Sequence, residues 1–514
     1  MLLYALIHLG VKETLETIDG IFAFAFYDSE KNRLILARDR MGVKPLYVGN
    51  TTEGIVFSSQ YDHIINHPFF KNEGFNETVI GTYLYLGYMP ENSGVIQGTK
   101  LLPHGYFASV EDGQINLFNY YSYPVSPGNS SERPELDSVM KKAVSGQLIS
   151  DVPAGTFMSG GVDSTLVSYF ANQQSHLKSF TIGIKDDKLD ESNAANEFAK
   201  LFETDHHCKY ITSKDLLSLL KENTMAFSEP FADFSSLPLL YLSKYAKENV
   251  TVALSGDGGD ELFWGYLRNR NALRMIPYYQ KNTGNRRLKL LLNKIKNPKG
   301  ISVSRHWKHP DFADYYYSTF SVTNAGDWLP NIFRSEVAAP FFLEECKNKY
   351  EEMQLNDTCA LMNLVRKMEM DIHLQRILLK VDRAAMFHSL EVRVPFLSNA
   401  MLGYSTEYDY TDCIKNDQGK MNLKKSLAEK SSDELVMQPK KGFMIPINQW
   451  LRKEIKNEVV EKIMDMPSHL GKMFYKEGLR KMLREHIEDH KNWGWLIWAV
   501  YSFVMWDDVH RKKN

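Results

Sequence analysis

Short apolar runs alternate with amphipathic stretches through the middle of the chain. Residues 135–147 carry apolar positions at helical spacing, whereas residues 152–158 and the β-branched run 250–254 have the length and composition of buried strands. Strands and helices alternate in this way to about residue 261, which is typical of a parallel sheet covered by helices. From residue 266 onward the pattern predicts mostly helices.

The amino-terminal part follows a different pattern. Residues 33–36 and 54–57 lie in short strand-like runs with alternating positions, which predicts a region of strands and turns around a partial helix. Residues 121–134 are rich in Ser, Pro, Gly and Asn, as linkers are. We therefore predict an α/β protein with a strand-rich domain over residues 1–125 and a parallel-sheet domain with a large helical C-terminal part over residues 126–514.

Composition narrows the class of function. The chain has 514 residues, of which 43% are hydrophobic and 24% charged, and its net charge of −2 argues against nucleic acid as a partner. The aromatic run 493–506 is too short to span a bilayer and is predicted to be a buried helix. The 4 cysteines are scattered, without the spacing of a metal site or a disulfide framework. With no signal peptide evident, we expect a cytoplasmic protein that does not act at a membrane.

The most informative motif is Ser159-Gly160-Gly161-Val162-Asp163-Ser164-Thr165, between a predicted strand and a predicted helix. Its glycines allow close approach of an anion to the backbone, and the first turn of the helix offers N–H groups to that anion. A carboxylate at Asp163 repels a bare phosphate but suits a magnesium ion that bridges phosphates. The lysine of the common phosphate-binding loop is missing. The motif thus predicts a pyrophosphate site with its metal, and the alternative is a simple glycine turn with a capped helix.

A second motif follows the predicted strand at residues 250–254. It reads Ser255-Gly256-Asp257-Gly258-Gly259-Asp260-Glu261, and glycines and acids at this position are poor material for a core. Ligands of parallel sheets bind at the carboxyl ends of the strands, so we expect both motifs to face one magnesium nucleotide. The alternative is a solvated acidic loop.

Together these motifs resemble those of the asparagine synthetases. The resemblance continues through SEPFADFSSLP at residues 228–238, LKVDRAAMFHSLEVRVPFL at residues 379–397 and PKKGFMIPINQWLR at residues 439–452. It implies an ATP-pyrophosphatase (adenine nucleotide alpha hydrolase-like) domain that uses ATP and magnesium. The implied substrates are aspartate, ATP and either ammonia or glutamine, and the implied assembly is a homodimer.

The resemblance also implies roles for single residues. Ser159, Gly160, Gly161, Val162, Asp163, Ser164, Ile182, Ser255 and Gly256 match nucleotide-binding positions, and Asp163 and Asp260 match magnesium ligands. Lys440 matches a catalytic lysine that neutralises the α-phosphate, although Lys441 leaves the register open by one residue. Asp257 stands where many members have glutamate, and it is expected to act as a base or to orient the amine. Arg383 and Glu391 match family positions, either as site residues or as structural ion pairs.

The amino-terminal part resembles the second half of the family's glutaminase domain, a β-sandwich of the N-terminal-nucleophile type. The matching segments are IDGIFAFAFYD at residues 18–28 and LARDRMGVKPLY at residues 36–47. In the family a cysteine after the initiator methionine attacks glutamine, whereas here Leu2 follows Met1. We therefore expect the chain as given to use free ammonia, to be a fragment of a longer product, or to be one half of a split protein.

Two other functions stay open at the level of sequence. The first is a related adenylating enzyme that amidates a sugar acid or closes a lactam ring. The second is a scaffold that has lost catalysis, against which the intact glycine and aspartate motifs count.

Overall fold

Two antiparallel sheets form most of the amino-terminal part. The computed structural model describes residues 1–125, 133–184, 192–281, 309, 311–321, 328–352, 357–437 and 445–511. The first strands are β1 (Ala23–Asp28), β2 (Arg33–Arg38), β3 (Tyr47–Thr51), β4 (Gly54–Ser58), β5 (Thr99–Leu101), β6 (Tyr106–Glu111) and β7 (Gln114–Asn119). They pair in the orders β1–β2–β6–β7 and β4–β3–β5. The accompanying helices are α1 (Leu2–His8), α2 (Val11–Thr17), α3 (Tyr61–Ile65), the short 3₁₀ turn Pro68–Phe70 and α4 (Glu77–Leu86).

Strand β2 contributes apolar side chains to clusters on both faces of its sheet. Successive side chains of a strand point to opposite faces of the sheet. Ile35 and Ala37 accordingly pack into one apolar cluster with Leu15, whereas Leu36 between them packs into another with Val48. The alternation read from the sequence therefore places apolar side chains on both faces of the sheet.

A five-stranded parallel sheet forms the middle of the chain. Its strands are β8 (Ala154–Phe157), β9 (Lys178–Ile184), β10 (Asp205–Ile211), β11 (Val252–Leu254) and β12 (Glu391–Arg393). They lie in the order β10–β9–β8–β11–β12, and every pair is parallel. The helices that accompany them are α5 (Leu136–Leu148), α6 (Val162–Asn172), α7 (Ser192–Leu201), α8 (Ser213–Ser218), α9 (Leu220–Ala226), α10 (Ser236–Lys247) and α11 (Gly259–Leu262).

The strand order creates a topological switch point. From β8 the chain moves outward to β9 and β10, and it then returns to place β11 on the other side of β8. The connections that leave β8 and β11 therefore diverge, which opens a crevice at the carboxyl ends of these two strands. Both sequence motifs begin at this crevice, because residues 159–165 follow β8 and residues 255–261 follow β11.

The remainder of the described chain is largely helical. Its helices are α12 (Leu267–Lys281), α13 (Phe312–Ser318), α14 (Leu329–Ile332), α15 (Phe341–Glu352), α16 (Thr358–Met368), the π-helix Glu369–His373, α17 (Leu374–Met386), the 3₁₀ turn Pro395–Leu397, α18 (Asn399–Thr406), α19 (Tyr410–Cys413), α20 (Met421–Lys430), α21 (Asp433–Val436), α22 (Ile447–Arg452), α23 (Lys456–Met464), α24 (Ser468–Gly471), α25 (Lys476–Ile487) and α26 (Gly494–His510). Helix α26 contains the predicted buried aromatic run. Across the described ranges, no helix has both the length and the apolar character that a membrane crossing requires.

Charged side chains join the amino-terminal part to the helical part. Lys44 Nζ lies 2.9 Å from Asp382 of α17, and His104 lies between Glu91 and Asp371 of the π-helix. One continuous apolar core also draws residues from both parts. The predicted fold class is thus confirmed: antiparallel sheets, then a parallel sheet, then a large helical part. The domain boundary at residue 125 stays a prediction.

Candidate active site

The loop between β8 and α6 is a hydroxyl-rich turn at the start of a helix. Gly160 has a φ of 77°, which glycine tolerates, and an added Cβ would lie 2.7 Å from a backbone nitrogen of α7. The backbone N–H of Ser159 donates to Ser164 Oγ over 3.1 Å, and that hydroxyl donates to the Gly161 carbonyl over 3.2 Å. Helix α6 begins at Val162, so the N–H groups of its first turn favour an anion beside this loop.

The loop after β11 packs directly against the loop after β8. A Cβ added to Gly256 would lie 2.5 Å from the backbone nitrogen of Ser164, and one added to Gly259 would lie 2.5 Å from Asp163 Oδ1. Larger side chains are therefore excluded at both glycines. In the same loop, Asp257 accepts a hydrogen bond from Ser255 Oγ over 2.8 Å. The structure thus brings the two motifs into contact.

A lysine that the sequence analysis did not single out lies between the two motifs. Lys420 Nζ is 2.7 Å from Asp163 Oδ2 and 2.6 Å from Asp260 Oδ1, and all three side chains are at least 84% buried, with exposures of 8%, 7% and 16%. The lysine immediately precedes α20, 160 residues after Asp260 in the chain (420 − 260). No local pattern marked it, because its role depends on the tertiary position of α20.

The two loops form one wall of a cleft with a volume of about 390 Å³. The predicted site residues that line it are Ser159, Gly161, Asp163, Ser164, Ser255, Gly256, Asp257 and Asp260. Gly160, Val162 and Ile182 are not among the lining residues, and Val162 and Ile182 lie in the apolar core at 9% and 3% exposure. On β9, the strand of Ile182, it is Phe180 and Thr181 that line the cleft.

A cation also lines the cleft. Lys380 of α17 donates from Nζ to Ser235 Oγ over 2.8 Å and lies 3.5 Å from Asp233. Burial alone would raise the pKa of Asp233, but Lys380 and Arg376 lower it to about 2. The cleft is therefore lined both by acids of the two loops and by a basic side chain that Ser235 and Asp233 hold in place.

Glu261, which also lines the cleft, has a strongly raised pKa. Burial and the negative charge of Asp260 raise the pKa of Glu261 to about 8, and the hydroxyl of Tyr266 donates to its carboxyl group. Glu261 is therefore largely protonated at neutral pH. Protonation limits the accumulation of negative charge beside Asp260.

Comparison with known sequences places the chain in a family. Residues 135–508 match the model of the asparagine synthase family, which covers more than half of the chain. The chain belongs to the asparagine synthase family. Residues 1–121 also match a glutamine amidotransferase domain, in agreement with the second resemblance.

Relatives match along nearly the whole chain. "Asparagine synthetase [glutamine-hydrolyzing] 1" of Bacillus subtilis is 27% identical over 521 residues, which cover 98% of this chain and 79% of the relative. A putative asparagine synthetase of Mycobacterium tuberculosis (strain H37Rv) is also 27% identical, over 97% of this chain and 78% of its own length. The asparagine synthetase of Bos taurus is 29% identical over half of this chain.

Family membership establishes the general activity. The family comprises ligases that form carbon–nitrogen bonds in asparagine synthesis and that use ATP and small-molecule substrates. The predicted family and the predicted enzyme class are both confirmed.

The acidic wall of the cleft fits a magnesium nucleotide. Magnesium usually takes one or two protein carboxylates, with waters and substrate phosphates completing its coordination. Asp163 and Asp260 supply two such carboxylates, and the ammonium of Lys420 between them marks a position where a cation is stabilised. Among the described residues no group of three or more His, Cys, Asp or Glu converges on one point. Two carboxylates leave the other coordination positions of such a metal to waters and substrate phosphates.

The sequence also predicted roles for Lys440, Arg383 and Glu391. Lys440 and Lys441 lie outside the described residues. Arg383 donates to both carboxylate oxygens of Glu229 over 2.9 and 2.8 Å, with both side chains buried. Glu391 pairs with Arg393 over 2.7 Å. Neither Arg383 nor Glu391 is among the residues that line the cleft, and the choice between a site residue and a structural ion pair stays a prediction for both.

Proposed function

We propose that this chain activates the side-chain carboxylate of aspartate with ATP and then joins it to ammonia to give asparagine. One observation carries the proposal: in a member of the asparagine synthase family, the loops after β8 and β11 meet at the switch point of the parallel sheet. Ligands of open parallel sheets bind at this position.

Activation is needed because a carboxylate repels nucleophiles and has no good leaving group. Attack of the aspartate carboxylate on the α-phosphorus of ATP forms a mixed anhydride, aspartyl-AMP, and expels pyrophosphate. Ammonia then adds to the acyl carbon, loses a proton and expels AMP. Negative charge develops on the leaving group in both steps, so the site must present donors and cations to that charge.

The chain's own residues have distinct parts in this scheme. Ser159, Gly161 and Ser164, backed by Gly160 and Val162, hold the pyrophosphate with hydroxyl and N–H donors at the start of α6. Ser255 and Gly256 flank the nucleotide from the second loop, and Ile182 supports it from β9.

The charged residues have the remaining roles in the proposed reaction. Asp163 and Asp260 hold magnesium, which would neutralise charge on the phosphates. Asp257, held by Ser255, takes up the proton of the incoming amine or orients it. Lys440 neutralises the α-phosphate as charge builds there.

Free ammonia is the nitrogen source that we propose for the 514-residue polypeptide. All 4 of its cysteines lie beyond residue 200, outside the part that matches the amidotransferase domain. Burial raises the pKa of the Cys413 thiol to about 12 and also raises the pKa values of Cys346 and Cys359, which disfavours the reactive thiolate.

Product analysis tests the proposed reaction. With ATP, magnesium, aspartate and ammonium chloride, the protein should release AMP and pyrophosphate in equal amounts together with asparagine. Omission of aspartate should abolish AMP release, and other carboxylic acids serve as controls for the acceptor. Release of ADP and orthophosphate would instead indicate a phosphorylated intermediate and would contradict the proposal.

By resemblance to the family, we further propose that the enzyme works in the cytoplasm and as a homodimer. Light scattering on the purified protein tests the second point, because a mass near 59.2 kDa would contradict a dimer.

A further inference from the structure

Lys420 occupies the position where a metal would bridge the two loops. Its Nζ lies 2.7 Å from Asp163 Oδ2 and 2.6 Å from Asp260 Oδ1. Two carboxylates brought together in a buried cleft repel each other, and an ammonium between them offsets that repulsion. The lysine therefore stabilises the approach of the two loops.

The backbone of Lys420 is fixed to the residues that follow α11. Its N–H donates to the carbonyl of Phe263 over 3.2 Å, and its φ of 58° lies in the left-handed region that non-glycine residues rarely adopt. The preceding Gly419 lies so close that an added Cβ would be 2.2 Å from the carbonyl oxygen of Trp264. These contacts anchor the backbone, so the long side chain is the part that can move while the loop keeps its shape.

A magnesium ion and this ammonium cannot both lie between the carboxylates. Magnesium binds oxygen at about 2.0–2.1 Å, so an ion that bridges Asp163 and Asp260 would lie where Nζ now is. The two cations would also repel each other strongly at such a short separation. One of them must leave when the other arrives.

We propose that Lys420 is a built-in competitor of the metal. It holds Asp163 and Asp260 together in the absence of nucleotide, and it gives up this position only when a divalent cation arrives together with phosphates. The phosphates compensate for the move, because they offer the displaced ammonium a new anionic partner. The two carboxylates consequently bind a divalent cation with nucleotide but not alone. This inference rests on the proposed function only in taking these carboxylates as metal ligands.

Binding of Mn²⁺, followed by electron paramagnetic resonance of the free ion, tests the inference without turnover. The wild-type protein should bind Mn²⁺ with a non-hydrolysable ATP analogue present and should bind it far more weakly alone. In Lys420→Met, which keeps the length of the side chain and removes its charge, binding of Mn²⁺ alone should strengthen by about tenfold or more. The gain should disappear in the double variant Lys420→Met/Asp163→Asn.

Lys425→Met is the matched control. Lys425 lies on α20 as well, but its side chain is 80% exposed and pairs with Glu429 over 4.0 Å, so its loss should leave Mn²⁺ binding unchanged. Lys420→Arg, which keeps the positive charge, should show no gain.

Two results would overturn the inference. One is tight binding of Mn²⁺ alone to the wild-type protein that Asp163→Asn abolishes, a measurement that needs no folded Lys420 variant. The other is a folded Lys420→Met protein that gains no metal affinity. If product analysis fails to find AMP while the Mn²⁺ titrations behave as described, the proposed reaction is wrong and the competition between lysine and metal stands.

Discussion

Loss of one buried proton at alkaline pH should weaken the contact between the amino-terminal sheets and the helical part. His104 Nδ1 lies 2.8 Å from Glu91, and its Nε2 lies 3.3 Å from Asp371 of the π-helix. Glu91 also pairs with Arg38, and Asp371 with Lys367. Burial alone would lower the pKa of His104, but the two carboxylates raise it to about 9. His104 is therefore a cation at neutral pH.

The contribution of His104 to the free energy of unfolding follows from the change in its pKa on folding. A rise from the ordinary value of 6.5 to about 9 corresponds to about 3 kcal/mol, at about 1.4 kcal/mol per pH unit. Because the pKa is higher in the folded state, this stabilisation is fully present below pH 6.5 and is lost as the pH rises through about 9.

Urea denaturation of the wild-type protein and of His104→Gln at several pH values measures this contribution. The variant should be less stable by about 3 kcal/mol at pH 6, and the difference should shrink toward pH 9.5. His176→Gln, at an exposed position, is the control and should show no such trend. A difference between wild type and His104→Gln that is constant with pH, or that grows toward alkaline pH, would refute the reasoning.

Three further predictions concern the reaction. Asp163→Asn should slow AMP release by about a hundredfold or more, because a metal ligand is lost where charge develops, whereas Asp412→Asn at the surface should not. Lys440→Ala should abolish AMP release with little change in ATP affinity, and Lys441→Ala should slow AMP release much less. The reverse result would show that Lys441, and not Lys440, is the catalytic lysine. The chain as given should release no glutamate from glutamine, and activity that an alkylating agent removes would show that an internal cysteine acts as a nucleophile.

Local sequence signals were sufficient for the two loops. Glycines that follow a strand and precede a helix encode a turn through backbone geometry alone, so Ser159, Gly160 and Asp163 could be located without tertiary information. Strands β8 to β11 of the parallel sheet were predictable for a similar reason, because strands and helices alternate along that part of the chain. Strand β12 lies in the part that was predicted to be mostly helical.

Interactions between distant segments could not be predicted in this way. Lys420 reads as one lysine among several before an amphipathic helix, and only the packing of α20 brings it to Asp163, 257 residues away. The contact of His104 with Asp371 spans 267 residues and joins two parts of the fold. The raised pKa of Glu261 depends on burial, which its acidic sequence context does not indicate. The charge states of these residues, and their pairing between distant segments of the chain, therefore depend on the three-dimensional arrangement.

Transfer of isotope from aspartate to AMP tests the central claim most directly. Aspartate labelled with ¹⁸O in its side-chain carboxylate would be incubated with the protein, ATP, magnesium and ammonium, and the products would be analysed by mass spectrometry. Adenylation predicts that one labelled oxygen enters AMP and that none enters pyrophosphate. Label in orthophosphate accompanied by ADP, or AMP without label, would contradict attack of the carboxylate on the α-phosphorus.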